Sequence, residues 1–182
     1  GAHAPITPQT APNPENAYGK SKLDAENGLR AMEADSFRVA ILRLPMVYGR
    51  GCKGNYTRLA SLARKCPLFP AFDNRRSMLY IENLTSLIAK IVFDCPSGTY
   101  HPRDGVSRST GEIARAICAA HGKKCVQTRL LTPAVRLMGK GGIVRRAFGD
   151  QEYASDMPDY PENYRAFDFE SAIRKTEGDE KW

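Results

Sequence analysis

Phe37-Arg38-Val39-Ala40-Ile41-Leu42-Arg43-Leu44 is nearly continuous in apolar content, interrupted only by two arginines. A strand with one wet face alternates polar and apolar residues, whereas a run of this kind suits a parallel strand covered on both faces. Pro45 ends the run, and Gly49, Gly51 and Gly54 mark a loop beyond it. Working backwards, Asn13 reads as an N-cap and Pro14-Glu15 as the first turn of a helix to about Ala34, with apolar spacing from Leu23, Ala25, Leu29 and Met32. The segment before that helix, with Pro5, Pro8, Pro12 and Pro14, reads as an extended loop.

Working forwards, the pattern predicts helices near Asn55–Lys65, from Glu82 to about Phe93, and from a Thr110 cap to about His121. Short strands are expected at Met78–Ile81, Gly98–His101 and Val126–Leu130, a short helix at Pro133–Met138, and a last helix from about Phe169 to Thr176. Leu84, Leu87, Ile88 and Ile91 lie at helical spacing and read as core. The Gly139-Lys140-Gly141-Gly142 cluster lacks the order of a phosphate loop and reads as a helix end followed by surface loop. Alternating strands and helices define an α/β class.

At 182 residues, with 42% hydrophobic and 26% charged residues, the chain is long enough for an ordinary globular domain. It has no apolar run of the length a transmembrane helix needs. Net charge is +7, but its lysines and arginines are interleaved with acids and no nucleic-acid motif surrounds the densest pairs, Arg75-Arg76, Lys123-Lys124 and Arg145-Arg146. The five cysteines are widely spaced with no Cys-x-x-Cys, and the three histidines stand apart. Free thiols in a reducing cytoplasm, and no metal site, are the expectation.

Chemistry enters at Tyr18-Gly19-Lys20-Ser21-Lys22. A tyrosine and a lysine four apart on a helix share a face, where the ammonium favours a phenolate. That pairing moves a proton on and off an alcohol or sugar hydroxyl. The spacing alone equally fits a solvated helix face. Around it, however, lie Thr10-Ala11-Pro12-Asn13-Pro14-Glu15-Asn16-Ala17, then Leu23-Asp24-Ala25-Glu26, then Leu42-Arg43-Leu44-Pro45-Met46-Val47-Tyr48-Gly49, and later Asn74-Arg75-Arg76-Ser77-Met78-Leu79-Tyr80-Ile81-Glu82-Asn83-Leu84. In that order these segments resemble the extended short-chain dehydrogenase/reductase family, in its NAD-dependent epimerase/dehydratase branch, which includes UDP-glucose 4-epimerase. Tyr164–Ile173 resembles the family's C-terminal pattern more loosely.

The resemblance implies the C-terminal part of a Rossmann-type parallel sheet plus a small α/β substrate-binding domain. Residues 1–50 then hold the remnant of the dinucleotide-binding domain, and 51–182 mainly the substrate domain, with 78–105 returning to the sheet. It implies Tyr18 as catalytic acid/base and Lys22 as its partner and a ligand of the nicotinamide ribose. It places Pro45 beside the NAD nicotinamide, and Met46, Asn55, Phe72 and Arg76 around a UDP-hexose. Arg76 matches the arginine that pairs with the diphosphate. Many relatives have Asn where this chain has Met46, which leaves the hexose open. Thr7 and Thr10 are hydroxyls to which no role is given, and Arg145 or Arg146 reads as a solvated face. The family's Gly-x-x-Gly-x-x-Gly motif does not occur in the sequence. The expectation is therefore the back half of an enzyme, inactive alone and weak for NAD, whose cytoplasmic, homodimeric parent epimerises a UDP-hexose through a 4-keto sugar. Related activities, a 4,6-dehydratase or a reductase, stay open, as does a non-catalytic nucleotide-sensing or protein-interaction module.

Overall fold

A computed structural model describes residues 4–66, 68–71, 74–130 and 151–178. The expected helix at 133–138, the 139–142 glycine cluster, Arg145, Arg146 and Phe72 lie outside the described residues. The elements are α1 (Ala17–Ala31), β1 (Ala40–Leu42), β2 (Met46–Tyr48), α2 (Asn55–Lys65), β3 (Leu68–Pro70), β4 (Met78–Tyr80), α3 (Ile81–Asp94), β5 (Gly98–Tyr100), α4 (Thr110–Ala120), β6 (Val126–Thr128) and α5 (Phe169–Glu177). The described strands pair two by two and every pair is parallel: β1 with β5, β2 with β4, and β3 with β6. Helices supply the crossovers that parallel pairing requires.

The first helix starts later than its sequence suggests. Asn16 is the N-cap, its Oδ1 accepting from the Gly19 amide at 2.8 Å. Pro14 instead packs on the first turn, where a Cβ at Gly19 would lie 2.9 Å from the proline Cβ. That close approach, not backbone freedom, makes glycine the fitting residue after Tyr18. The strand read as 37–44 contracts to Ala40–Leu42 and is only half buried. With β5 as its single described neighbour it lacks the two-sided cover that a continuous apolar run anticipates. β1 ends at Leu42, before Pro45, and the residue after Pro45 opens β2 rather than a loop.

Ser109, not Thr110, caps α4: its hydroxyl accepts from Glu112 N while the Glu112 carboxylate accepts from Ser109 N. A serine followed three residues on by glutamate is the reciprocal capping pattern. The main core joins Tyr56, Leu59, Ala60 and Ala63 of α2 to Ile113, Ala114, Ile117 and Cys118 of α4 and to Phe169, Ala172 and Ile173 of α5. Fully burying each Leu, Ile or Phe contributes about 1.5–3 kcal/mol. A buried carboxylate ties the same three helices, for Glu177 accepts from Tyr56 Oη at 2.8 Å, pairs with Arg64 at 2.6 Å and meets His121 Nε2 at 2.8 Å. A second core joins Leu79, Leu84, Leu87, Tyr160 and Tyr164.

By contrast α1 buries no residue. Charge docks it instead. Glu26 accepts from Arg43 Nε at 3.1 Å and Nη2 at 2.7 Å, and Arg30 pairs with Glu26 while also bonding Thr99 Oγ1. Burial works to raise the Glu26 carboxyl, but hydrogen bonds and charge from Arg43 and Arg30 outweigh it and hold the group below its ordinary 4.5. A folded value below the unfolded one means the contribution is complete above about pH 4.5 and is lost as pH falls through the folded value. Glu26→Gln is accordingly expected to speed amide exchange across α1 about tenfold at neutral pH, and acid is expected to do the same to the parent chain. Equal α1 protection in variant and parent would refute the clamp.

Candidate active site

Tyr18 and Lys22 sit on one face of α1, with Lys22 Nζ 5.6 Å from the Tyr18 ring centroid. The tyrosine is 72% exposed, and Lys22 pairs with no described carboxylate. Tyr18 belongs to the first turn of α1, which Asn16 caps. Upstream, the Thr7 and Thr10 hydroxyls lie 3.2 Å apart in a local turn, where they serve each other.

β1 and β2 deliver the second part of the site. The backbone leaving β1 at Arg43 passes Leu44 and Pro45 into Met46, at the carboxyl end of a parallel strand, where α/β sheets present their ligand crevices. Here a cleft of about 420 Å³ is lined by Pro45, Met46, Lys53, Asn55, Gln151 and Tyr153, together with apolar neighbours. Asn55 opens α2, whose N-terminus has no side-chain cap and no acid in its first turn. Pro45, Met46 and Asn55, three of the residues that the family resemblance points to, therefore share one cavity. Tyr18 and Lys22 are not among its lining residues.

Arg76, which the family resemblance places at the diphosphate, is 2% exposed, with Nη1 3.8 Å from the Met46 sulfur, and is not among the residues that line this cavity. Its backbone is stitched from both sides: Arg76 N and O exchange hydrogen bonds with Arg108 at 2.9 Å, and the flanking Ser77 N and Arg75 O bond Gln151. Arg76 thus stands behind Met46 rather than beside it.

Gln151 and Tyr153, which carry no motif, line the cavity from the far end of the sequence. The strap they lie on is held by Ile6, whose amide donates to Glu152 O and whose carbonyl accepts from Ala154 N, both at 2.8 Å. Tyr153 N donates to Ser77 Oγ at 2.9 Å, and its hydroxyl donates to Arg43 O at 3.2 Å. Its ring meets buried His101 edge-on at 5.4 Å. Burial, then the charges of Arg43 and Arg103, hold that imidazole below its ordinary value, the Pro158 carbonyl opposing them, so a neutral ring backs the tyrosine. Lys53, also outside the expectation, lies in Gly51-Cys52-Lys53-Gly54, where its only sequence signal was a basic residue in a glycine loop.

Among the described residues no group of His, Cys, Asp or Glu has the arrangement of a metal site, and no described helix is long and apolar enough to cross a membrane. A nicotinamide cofactor would find here a lysine amine on the open face of α1 and Pro45 beyond the carboxyl end of β1. A glycine loop for the pyrophosphate is not in the sequence.

A family model for the RmlD substrate binding domain matches residues 1–135. The chain belongs to this family, within the NAD-dependent epimerase/dehydratase group of extended short-chain dehydrogenases/reductases. It is 35% identical over 134 residues to UDP-glucose 4-epimerase of Vibrio cholerae, a match covering 70% of this chain and 40% of that protein. In fold it is similar to UDP-N-acetylglucosamine 4-epimerase from Bacillus cereus, with a TM-score of 0.64 and 19% identity over 96% of this chain and 58% of that one. It is also similar to dTDP-glucose 4,6-dehydratase from Bacillus anthracis, solved with NAD, with a TM-score of 0.62 and 17% identity over 97% and 55% of the two chains. The chain thus spans 40–58% of the length of these relatives.

Proposed function

We propose that this chain carries the acid/base pair and the sugar-nucleotide cleft of an NAD-dependent nucleotide-sugar epimerase, with UDP-hexose 4-epimerisation as its reaction. The observation that carries this reading is the convergence of Pro45, Met46 and Asn55, the residues the family resemblance points to, on one cleft. The 35% identity to a UDP-glucose 4-epimerase favours epimerisation over the sister reactions. Residues 1–50 belong, in this reading, to the dinucleotide-binding domain and 51–182 mainly to the substrate domain. The pairing of β5 with β1 supports a return of 78–105 to the first sheet.

Tyr18 takes the proton of the sugar 4-hydroxyl and later gives it back, while Lys22, one turn along the same face, holds the nicotinamide ribose. NAD, when bound, supplies a reversible hydride acceptor for the sugar carbon. Met46 gives the cleft a polarizable wall with no strong hydrogen bond to the sugar, which suits a ring that must present both faces. The pyrophosphate of NAD is held by a Gly-x-x-Gly-x-x-Gly segment outside these 182 residues, so the chain alone is inactive and weak for NAD. Self-association through α1 and its C-cap, where Leu29 is 43% and Met32 63% exposed, belongs to the same reading.

The test joins these residues to the polypeptide that bears the glycine segment and supplies UDP-glucose. UDP-galactose without net oxidation is the expected product. Loss of water from the sugar, or its reduction at the expense of NADPH, would move the protein to the dehydratases or reductases. Failure to transform any nucleotide sugar would remove the enzyme reading, and tight NAD binding by the 182-residue chain would remove the claim that it is weak alone.

A further inference from the structure

Cys118 and Cys125 belong to no cysteine motif, yet the fold brings their thiols into hydrogen-bond contact. Cys118 lies in the last turn of α4 and is 1% exposed, while Cys125 is partly buried just before β6. Between them the chain reverses. His121 N and Lys123 N both donate to Cys118 O, at 3.1 and 2.8 Å, and Gly122 has φ of +65°. A left-handed residue that closes a helix in this way turns the next segment back on it. Cys125 accordingly packs against the main core, which contains Cys118.

The Cys118 thiol gives its one proton to Ala63 O of α2 at 3.3 Å, so its sulfur accepts in the contact with Cys125. Burial, then the neighbouring Cys118, push the Cys125 thiol up to about 11, with the Arg115 charge opposing. At neutral pH Cys125 therefore rests as a thiol, neither a ready nucleophile nor a metal ligand. Two adjoining thiols, one partly open and one buried behind it, have the arrangement that thiol–disulfide exchange uses.

We infer that Cys118 and Cys125 are a site of thiol–disulfide exchange, at which a small disulfide of the glutathione class oxidises them to an internal disulfide. Cys125, the more open of the two, attacks one sulfur of the small disulfide, whose S–S bond breaks as one small thiol leaves. The Cys118 sulfur then attacks Cys125 in the mixed disulfide, and the second small thiol leaves. Two protein thiols are oxidised, one small disulfide is reduced, and the two thiol protons end on the leaving sulfurs. The new bond fastens the end of α4 to the start of β6, whose parallel partner is β3. Cys118 gives up its bond to Ala63 O, a small loss because a thiol is a weak donor. Neither cysteine lines the cleft beside β2, so the site holds whether or not the chain acts on nucleotide sugars.

The test equilibrates the 182-residue chain with reduced and oxidised glutathione, in buffer and in urea high enough to unfold it. Free thiols are then alkylated and the chain is digested with trypsin without reduction. Cleavage after Arg115, Lys123, Lys124 and Arg129 puts the two cysteines on residues 116–123 and 125–129, and mass spectrometry should find those peptides joined. The equilibrium constant for the internal disulfide is expected to be about tenfold larger folded than unfolded, because the fold already holds the sulfurs together. Cys118→Ser should leave Cys125 only as a mixed disulfide with glutathione. A constant no larger in buffer than in urea would mean that nearness along the chain suffices, and would overturn the inference. A link from 125–129 to residues 66–75, which carry Cys66 at the entrance to β3, would overturn it too. So would recovery of Cys118 and Cys125 wholly as alkylated thiols at every glutathione ratio.

Discussion

Asn83→Ala is expected to lower the unfolding free energy by about 2–4 kcal/mol, because it strands several buried partners at once. Asn83 is 0% exposed. Its Nδ2 donates to Asp104 Oδ1 at 2.9 Å and to Phe167 O at 3.0 Å, while its Oδ1 accepts from Phe167 N at 3.0 Å. One side chain thereby fastens the first turn of α3 to the segment entering α5 and to the carboxylate that receives the Tyr80 amide at 2.8 Å. Burial already pushes the Asp104 carboxyl up, against the donors that pull it down, Asn83 first among them. Removing that donor pushes it further. A folded value above the unfolded one costs stability as pH rises through it, so the deficit of the variant should be larger at pH 7 than at about pH 4. Urea unfolding measures this: the midpoint should fall with the slope unchanged. A loss under about 0.5 kcal/mol would mean that water replaces the amide and that the three bonds are not a joint.

How far the sequence foretold this arrangement differs by element, and the differences have causes. α2 was legible to the residue because Tyr56, Leu59, Ala60 and Ala63 recur at helical spacing and all are buried. The start of α1 was not, because Asn13-Pro14 and Asn16 both offer starts and only the packing of Pro14 on Gly19 decides between them. β3 escaped altogether: its three residues sit among prolines in Cys66-Pro67-Leu68-Phe69-Pro70, and its partner β6 lies far along the chain. In the candidate site, the family resemblance named Pro45, Met46 and Asn55, which stand close in sequence around β2 and α2 and line one cleft. Gln151 and Tyr153 were out of reach. They come to the cleft because Gln151 bonds Arg75 and Ser77, Tyr153 bonds Ser77 and Arg43, and Ile6 holds the intervening Glu152 and Ala154, and nothing in their own neighbourhood announces that pairing. The resemblance names Arg76 as the arginine that pairs with the diphosphate, and its burial was not readable from its neighbours because the bridges that flank it come from Arg108 and Gln151.

Tyr18→Phe is expected to cut epimerase turnover by about 10²–10⁴-fold in the enzyme that includes these residues, the range of a lost general acid/base. The substitution removes one hydroxyl and keeps the ring over which Lys22 Nζ stands at 5.6 Å, so the helix face stays as it is. At 72% exposure the side chain contributes little to packing, and unfolding should move by less than about 0.5 kcal/mol. Tyr18 does not line the cleft that holds Met46 and Asn55, so binding of UDP-glucose should hold within about twofold while kcat collapses. That split distinguishes proton transfer from a positioning role, which would move both quantities. Lys22→Met should lower kcat less steeply than Tyr18→Phe, because it leaves the phenol that transfers the proton and removes only the neighbouring ammonium. Retention of more than about a tenth of the parent rate by Tyr18→Phe would leave the proton to another group, and the pair on α1 would then be a solvated cation–π contact of the size such exposed contacts have, about 0.5–1 kcal/mol.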